Sequence, residues 1–190
     1  MSAAVVLVPV KAFADAKARL APALTASERA ILARTMAERV VAAAAPLPVV
    51  VACDDRGVAD WAERLGASVE WTPGVGLNGA VQQGFARLAA DCALVIVAHA
   101  DLPHASGLDR LARHPDGVTV VPDRHDDGTN VLAVPTIARD FTFAYGVGSF
   151  VRHVAEAERC GLGVRIERLP DLQWDVDTPD DLPVTTTTTS

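Results

Sequence analysis

Residues 93–98 read Ala-Leu-Val-Ile-Val-Ala, six apolar positions without a polar break. A strand with one face in water would alternate, so a run like this suits a strand covered on both faces. Residues 4–10 and 49–53 carry similar runs. Helical patterns separate them. Thr25 or Ser27 can cap a helix that has Glu28 in its first turn and Ile31, Leu32, Met36 and Val40 at helical spacing. A short helix over 58–65 is closed by Gly66, a third strand spans 67–71, and a helix spans 77–88. Apolar strands alternating with helices predict an α/β fold, a mixed, mostly parallel sheet flanked by helices. In the second half, strands at 118–121 and 130–134 flank a polar loop. A helix follows from 149 to about 160, then strands at 163–169 and 174–176, and mixed strand directions are expected there. No repeat or linker divides the 190 residues, which predicts a single domain over 1–182 and a disordered, Thr-rich tail over 183–190.

Aromatics make up 5% of the chain, so the core must come from Val, Leu, Ala and Ile. The net charge of -7 argues against a nucleic-acid partner, which would need a basic face. No apolar stretch approaches the roughly 20 residues of a membrane span, because residues 40–53 are broken by Pro46 and Pro48. The first residues lack a basic leader and read as a strand rather than a signal peptide. Cys53, Cys92 and Cys160 are dispersed, which suits small core residues in a reducing cytoplasm. The histidines form no zinc spacing.

Ligands of open α/β sheets bind beyond the carboxyl ends of strands, so the loops at 11–24, 72–78, 99–105, 122–129 and 174–179 are where chemistry is expected. The first carries Lys11, Lys17 and Arg19 against Asp15. Such cations can hold a polyphosphate or can decorate a solvated loop, and the pattern alone favours neither. Gly74-Val-Gly76-Leu77-Asn78-Gly79 matches the dinucleotide fingerprint but follows the third strand rather than the first, so a plain turn is the better reading. Asp101 directly follows the apolar strand 93–98 and is stiffened by Pro103, a placement for a metal or ligand rather than for a helix cap, which Ser106 would supply. Asp175 and Asp177 lie two apart, so an extended backbone points both carboxylates one way. Oxygen ligands without His or Cys suit Mg2+. The plainer alternative makes one Asp a cap before Pro179 and leaves Asp180 and Asp181 as surface charges. Asp127-Gly128-Thr129-Asn130 leads into a strand. Tyr145-Gly146-Val-Gly148-Ser149 opens a helix as a phosphate cradle, an ordinary Gly turn capped by Ser149, or both. His99, His104, His125 and His153 read as surface or packing residues, and Trp61, Trp71 and Trp174 as core or interface residues.

In this order and spacing, several stretches resemble one family along nearly the whole chain. They are Pro9-Val-Lys11 with Ala16-Lys17-Ala-Arg19-Leu20, Gly76-Leu-Asn78, Ala100-Asp-Leu-Pro103, Gly128-Thr-Asn130, Tyr145-Gly-Val-Gly-Ser149 with His153, and Asp175-Val-Asp-Thr-Pro-Asp-Asp-Leu182. The family is that of the 2-phospho-L-lactate and phosphoenolpyruvate guanylyltransferases of deazaflavin coenzyme F420 biosynthesis. The resemblance implies a nucleotidyltransferase fold related to GT-A glycosyltransferases, a Rossmann-like three-layer sandwich. It also implies transfer of GMP from GTP to a small phosphorylated acid with loss of pyrophosphate. Matched residue by residue, Asp101, Asp175 and Asp177 would hold Mg2+. Thr129, Gly146 and Ser149 would hold the acceptor phosphate. Lys11, Lys17 and Arg19 would face the GTP phosphates, and Leu77 and Asn78 would lie near the nucleotide. The implied partners are GTP, the acid and a downstream transferase, and a homodimer is the expected assembly. His99 and the charged loop Arg124-His125-Asp126-Asp127 have no counterpart in the resemblance and leave the choice of acid open. Alternatives are 3-phospho-D-glycerate as acceptor, or a molybdopterin or sugar-phosphate nucleotidyltransferase. Those relatives carry a Gly-rich first loop, which this chain lacks.

Overall fold

The computed structural model describes residues 2–182. The tail expected to be disordered, residues 183–190, lies outside the described residues. Seven strands form one sheet in the order β3-β2-β1-β4-β6-β5-β7. They are β1 (Ser2–Pro9), β2 (Val49–Cys53), β3 (Ser68–Trp71), β4 (Cys92–Ala98), β5 (Gly117–Pro122), β6 (Thr129–Pro135) and β7 (Gly163–Ile166). All pairings are parallel except β4 with β6 and β5 with β6.

The apolar runs become the centre of the sheet because they have no polar side chain to show to water. Val6, Leu7, Val8, Leu94, Val95, Ile96, Val97 and the interior of β6 are fully buried. One face of the sheet packs on α1 (Ala26–Ala43) and α2 (Arg56–Arg64). The other packs on α3 (Gly76–Leu88), α4 (Ser149–Arg159) and the irregular stretch from Phe141 to Tyr145. Thr25 caps α1 in a full capping box with Glu28, which settles the choice between Thr25 and Ser27 and contributes about 1 kcal/mol. Asp55 caps α2, and Gly66 follows it at φ 80, a left-handed turn that suits glycine.

The second half differs from expectation in three places. β7 ends at Ile166 rather than at 169, because Pro170 opens a four-residue helix, α5 (Pro170–Gln173). Trp174 is extended, but residues 174–176 join no strand. A 3-10 helix, Leu108–Arg113, follows the Asp101 loop with Gly107 at its N-cap, while the Ser106 hydroxyl instead donates to Asp171 at 2.5 Å. Trp61 is buried as expected, and Trp71 and Trp174 are exposed. Cys53 and Cys92 are buried and Cys160 is half-buried. No helix among the described residues is long and apolar enough to cross a membrane.

The topology determines where a ligand can sit. From β1 the chain moves outward to β2 and β3, then returns to place β4 on the other side of β1. The crevice between the carboxyl ends of β1 and β4 is therefore the switch point of the sheet. Because β6 runs antiparallel to β4, its first residues, Thr129 and Asn130, arrive at that same end, where His99 N–H donates to the Asn130 carbonyl at 3.0 Å.

Candidate active site

Past β1, two 3-10 turns, Phe13–Asp15 and Ala18–Leu20, fold the basic loop back over the crevice. Leu20 is buried with Met36 of α1 and Val176, which pins the loop to the acidic segment. Val176 is the inward residue of that segment; its neighbour Asp177 lines the crevice, and Asp175 meets Asn130. The Val176 N–H donates to the Asp101 carbonyl at 3.3 Å. Three segments far apart in sequence are thus tied together at one strand end.

Their charges meet on Lys17. Its Nζ donates to Asp101 Oδ2 at 2.6 Å and to Asp177 Oδ1 at 3.0 Å. Arg19 lies 3.6 Å from the other oxygen of Asp177. Burial disfavours the ammonium, but Asp101 and then Asp177 outweigh it and hold the Lys17 pKa above the ordinary lysine value. Burial likewise disfavours the Asp101 carboxylate, and Lys17 reverses this and holds its pKa low. Asp175 lacks such a partner. Burial, followed by the charge of Asp101, pushes its pKa up. Asp175 Oδ1 accepts a long 3.4 Å bond from Asn130 Nδ2, which also donates to the carbonyls of Leu172 and Gln173.

A cavity of about 550 Å3 opens over this cluster. Lys11, Lys17, Arg19, Leu77, Asp101 and Asp177 line it together with His99. Asn78, Thr129, Gly146, Ser149 and Asp175 do not. Asn78 spends its amide on the backbone of Tyr145, accepting its N–H at 2.7 Å and donating to its carbonyl at 3.4 Å. One turn on, Gln82 does the same for Phe141 and Phe143. α3 thus holds the irregular stretch that leads into Gly146 and Ser149.

Thr129 and Ser149 are brought together, with hydroxyl oxygens 3.4 Å apart. Gly148, in the left-handed region at φ 71, is the N-cap of α4. Ser149 is therefore a buried first-turn residue rather than the cap. His153, one turn along, is fully buried. Its Nε2 accepts the Ala144 N–H at 3.0 Å, so Nδ1 carries the proton and faces Thr129 Oγ1 at 3.0 Å. Sequence reasoning treated this histidine as packing. Its spacing of four from Ser149 and from Ala157, on one helix face, was the available signal.

Arg124 and Asp181 were also missed as site residues. Asp181 is only 4% exposed, not a surface charge. Its Oδ2 accepts the N–H groups of Asp177 and Thr178, and its Oδ1 pairs with Arg124. Burial opposes its ionisation, and Arg124 with the two N–H groups overrides this and pulls its pKa far below the usual range. Arg124 also stacks on Trp174 at 4.2 Å and donates to the Asp175 carbonyl at 3.4 Å. The charged loop after β5 is thereby a clamp on the Asp175–Asp177 segment. Arg124→Met is expected to destabilise the protein by about 2 kcal/mol, below the roughly 3–5 kcal/mol for a wholly buried pair because Arg124 is partly exposed. Urea denaturation measures the loss. Hydrogen exchange should show faster exchange of the Asp177 and Thr178 amides, and unchanged protection there would remove the clamp role.

Among the described residues no three His, Cys, Asp or Glu side chains enclose a space for a cation, since Asp101 and Asp177 converge on Lys17. One observation favours a cation all the same. Asp101 Oδ1 is buried without a hydrogen-bond partner beside a second carboxylate, Asp175, that is short of positive charge. Asp101, Asp175 and Asp177 supply hard oxygen donors of the kind that a divalent ion takes.

Comparison with known proteins identifies the family. The model of the family described as guanylyl transferase CofC like matches residues 4–185. The chain belongs to this family. It is 41% identical to a phosphoenolpyruvate guanylyltransferase of Roseiflexus castenholzii, over 93% of this chain and 84% of the relative. It is 34% identical to a 2-phospho-L-lactate guanylyltransferase of Methanothermobacter thermautotrophicus, over 93% and 81%. Among solved structures, the fold is shared with a nucleotidyl transferase from the same species. The TM-score is 0.67 at 16% identity, covering 95% of this chain and 94% of the other. It is also shared with a candidate nucleotide-diphospho-sugar transferase of Desulfovibrio desulfuricans, with a TM-score of 0.75 at 16% identity, covering 94% and 84%. The chain is an enzyme of the nucleotidyltransferase type, and its mixed, mostly parallel sheet is that fold.

Proposed function

We propose that this guanylyltransferase moves GMP from GTP to the phosphate of phosphoenolpyruvate or 2-phospho-L-lactate and releases pyrophosphate. The product would serve deazaflavin coenzyme synthesis. The observation that carries this reading is the cavity at the β1–β4 switch point, where Lys11, Lys17 and Arg19 face Asp101 and Asp177. Supporting it are the names of the relatives, which include both acceptor acids.

The reaction brings two anions together. An oxygen of the acid's phosphate attacks the α-phosphorus of GTP, the bond from that phosphorus to the bridging oxygen breaks, and pyrophosphate departs with the electron pair. Asp101, Asp175 and Asp177 are the residues that would hold Mg2+, which when bound supplies positive charge between the two phosphates. Lys11 and Arg19, both exposed at the cavity mouth, stabilise charge on the departing pyrophosphate. Thr129 and Ser149 are the hydroxyls assigned to the acceptor phosphate; they lie buried beside the cavity at the start of α4, where Asp127 holds the Gly148 and Phe150 N–H groups. His153 holds Thr129 in place. No general base is required, because the attacking oxygen is already anionic.

The test is pyrophosphate release from GTP and Mg2+ with phosphoenolpyruvate, 2-phospho-L-lactate and 3-phospho-D-glycerate offered separately. Release with one of the first two acids, and not with ATP, is expected. Release only with 3-phospho-D-glycerate would move the acceptor assignment, and none with any acid in folded protein would reject the reading. Lys17→Ala should raise the KM for GTP about 10-fold or more and the KM for the acid less. The reverse pattern would take Lys17 off the nucleotide.

A further inference from the structure

The carboxylates proposed to hold a metal ion and the lysine proposed to meet the nucleotide satisfy one another. Lys17 Nζ, on a side chain only 10% exposed, bridges Asp101 Oδ2 and Asp177 Oδ1 at 2.6 and 3.0 Å. The Lys17 backbone sits in the left-handed region at φ 54, an unusual conformation for a residue with a side chain, and one that persists where surroundings hold it. Nearby, Asp101 Oδ1 remains buried and unpaired.

A divalent cation on these carboxylates would lie at about 2.1 Å from their oxygens. It would then face an ammonium within a few ångströms in a partly buried place, where like charges repel strongly. Lys17 has to leave as the cation arrives, and a released ammonium needs another anion. Asp15 is the remaining carboxylate of the cavity wall, and it is exposed. A polyphosphate carries more charge and is the stronger partner.

We propose that Lys17 is an exchangeable counter-ion. It neutralises Asp101 and Asp177 in the free enzyme and passes to the nucleotide phosphates as the divalent cation takes the carboxylates. Metal and nucleotide then bind together tightly and the metal binds alone weakly. This rests on the reading that these carboxylates hold a metal.

Mn2+ is the probe, with free ion followed by electron paramagnetic resonance in the absence of nucleotide. Lys17→Met removes the ammonium and keeps the stem. It is expected to bind Mn2+ about 10-fold or more tighter than wild type, while Arg19→Met changes affinity by less than about threefold. Equal affinity in wild type and Lys17→Met, or equal gains in both variants, would overturn the exchange and leave the metal site standing. No Mn2+ binding in any of the three proteins would overturn the metal site as well, whereas the pyrophosphate assay judges the transferase reading separately.

A second measurement needs only wild-type protein. The chain has two lysines, Lys11 and Lys17, and Lys11 is exposed. Acylation read by mass spectrometry should modify Lys11 first. Saturating Mg2+ should speed modification of Lys17 at least about threefold, and GTP with Mg2+ should suppress it again. A Lys17 rate indifferent to Mg2+ would overturn the proposal.

Discussion

Asp177→Asn is expected to lower kcat about 10³-fold while the protein stays folded. The two halves of this result have separate causes. Asp177 is 46% exposed on its side chain, so its pairs with Lys17 and Arg19 contribute about 1 kcal/mol or less to stability. Lys17 keeps its shorter bond to Asp101 in the variant, so the basic loop stays closed on the crevice. The amide, however, removes a full negative charge from the proposed metal site. Charge is what that site must supply, because the reaction joins two anions. Steady-state pyrophosphate release with saturating GTP and acid gives kcat, and a thermal melt gives the fold. A folded Asp177→Asn enzyme turning over at the wild-type rate with Mg2+ would end the assignment of this carboxylate to the metal.

The second large effect is on stability and concerns His153. Burial of its ring pushes the pKa down to about 4 from 6.5, and the positive neighbours reinforce this. The groups facing it are His99 from the end of β4, Tyr145, and Arg152 and Glu156 of its own helix. Above pH 6.5 the ring is neutral in both folded and unfolded chains, and pH has no effect through it. Between 6.5 and about 4 the unfolded chain takes up a proton that the folded one refuses, so stability falls as pH falls. At about 1.4 kcal/mol per pKa unit, the loss reaches about 3 kcal/mol by pH 4. Asp101 and Asp181, whose pKa values are held low by their partners, lose their contribution only below the ordinary aspartate range. Glu28 and Glu156, held below the ordinary glutamate value, and Asp175, pushed above the ordinary aspartate value, also change stability at about pH 4 to 5, so the histidine is isolated by the difference between two proteins. His153→Gln can still accept the Ala144 N–H and does not titrate, so its stability curve should be flatter by that amount. Urea denaturation of both proteins from pH 7 to 4 decides. Parallel curves would mean that His153 is not the buried neutral group described here.

Both predictions depend on contacts that span long stretches of chain, and this marks what could be read from the sequence. Residues 49–53 were legible as a strand to the residue, and a helix start at Thr25 or Ser27 with Glu28 in the first turn, because apolar runs and caps act over a few neighbours. Asp101 at the end of β4 was legible for the same reason, whereas the spacing of Asp175 and Asp177 did not tell that Asp177 lines the cavity and Asp175 does not. Strand 174–176 was not legible, since an extended, apolar-centred segment can pair in a sheet or lie against Leu20 and Met36, and only the fold chooses. Asp181 looked like one surface charge in an acidic run, and its burial comes from Arg124, 57 residues away.

The chain order of apolar runs, caps and glycines determined an α/β sheet with its loops gathered at one end, since each of those signals is local. The motifs in those loops determined the family. Tertiary structure alone decided which charges meet. Lys17 is 84 residues from Asp101 and 160 from Asp177, and no local pattern reports on such a pair. The placement of β4 beside β1, and of β6 antiparallel to β4, brings them together. At separations of about 3 Å in a partly buried crevice, that placement sets the partners of Lys17, Asp101 and Asp177.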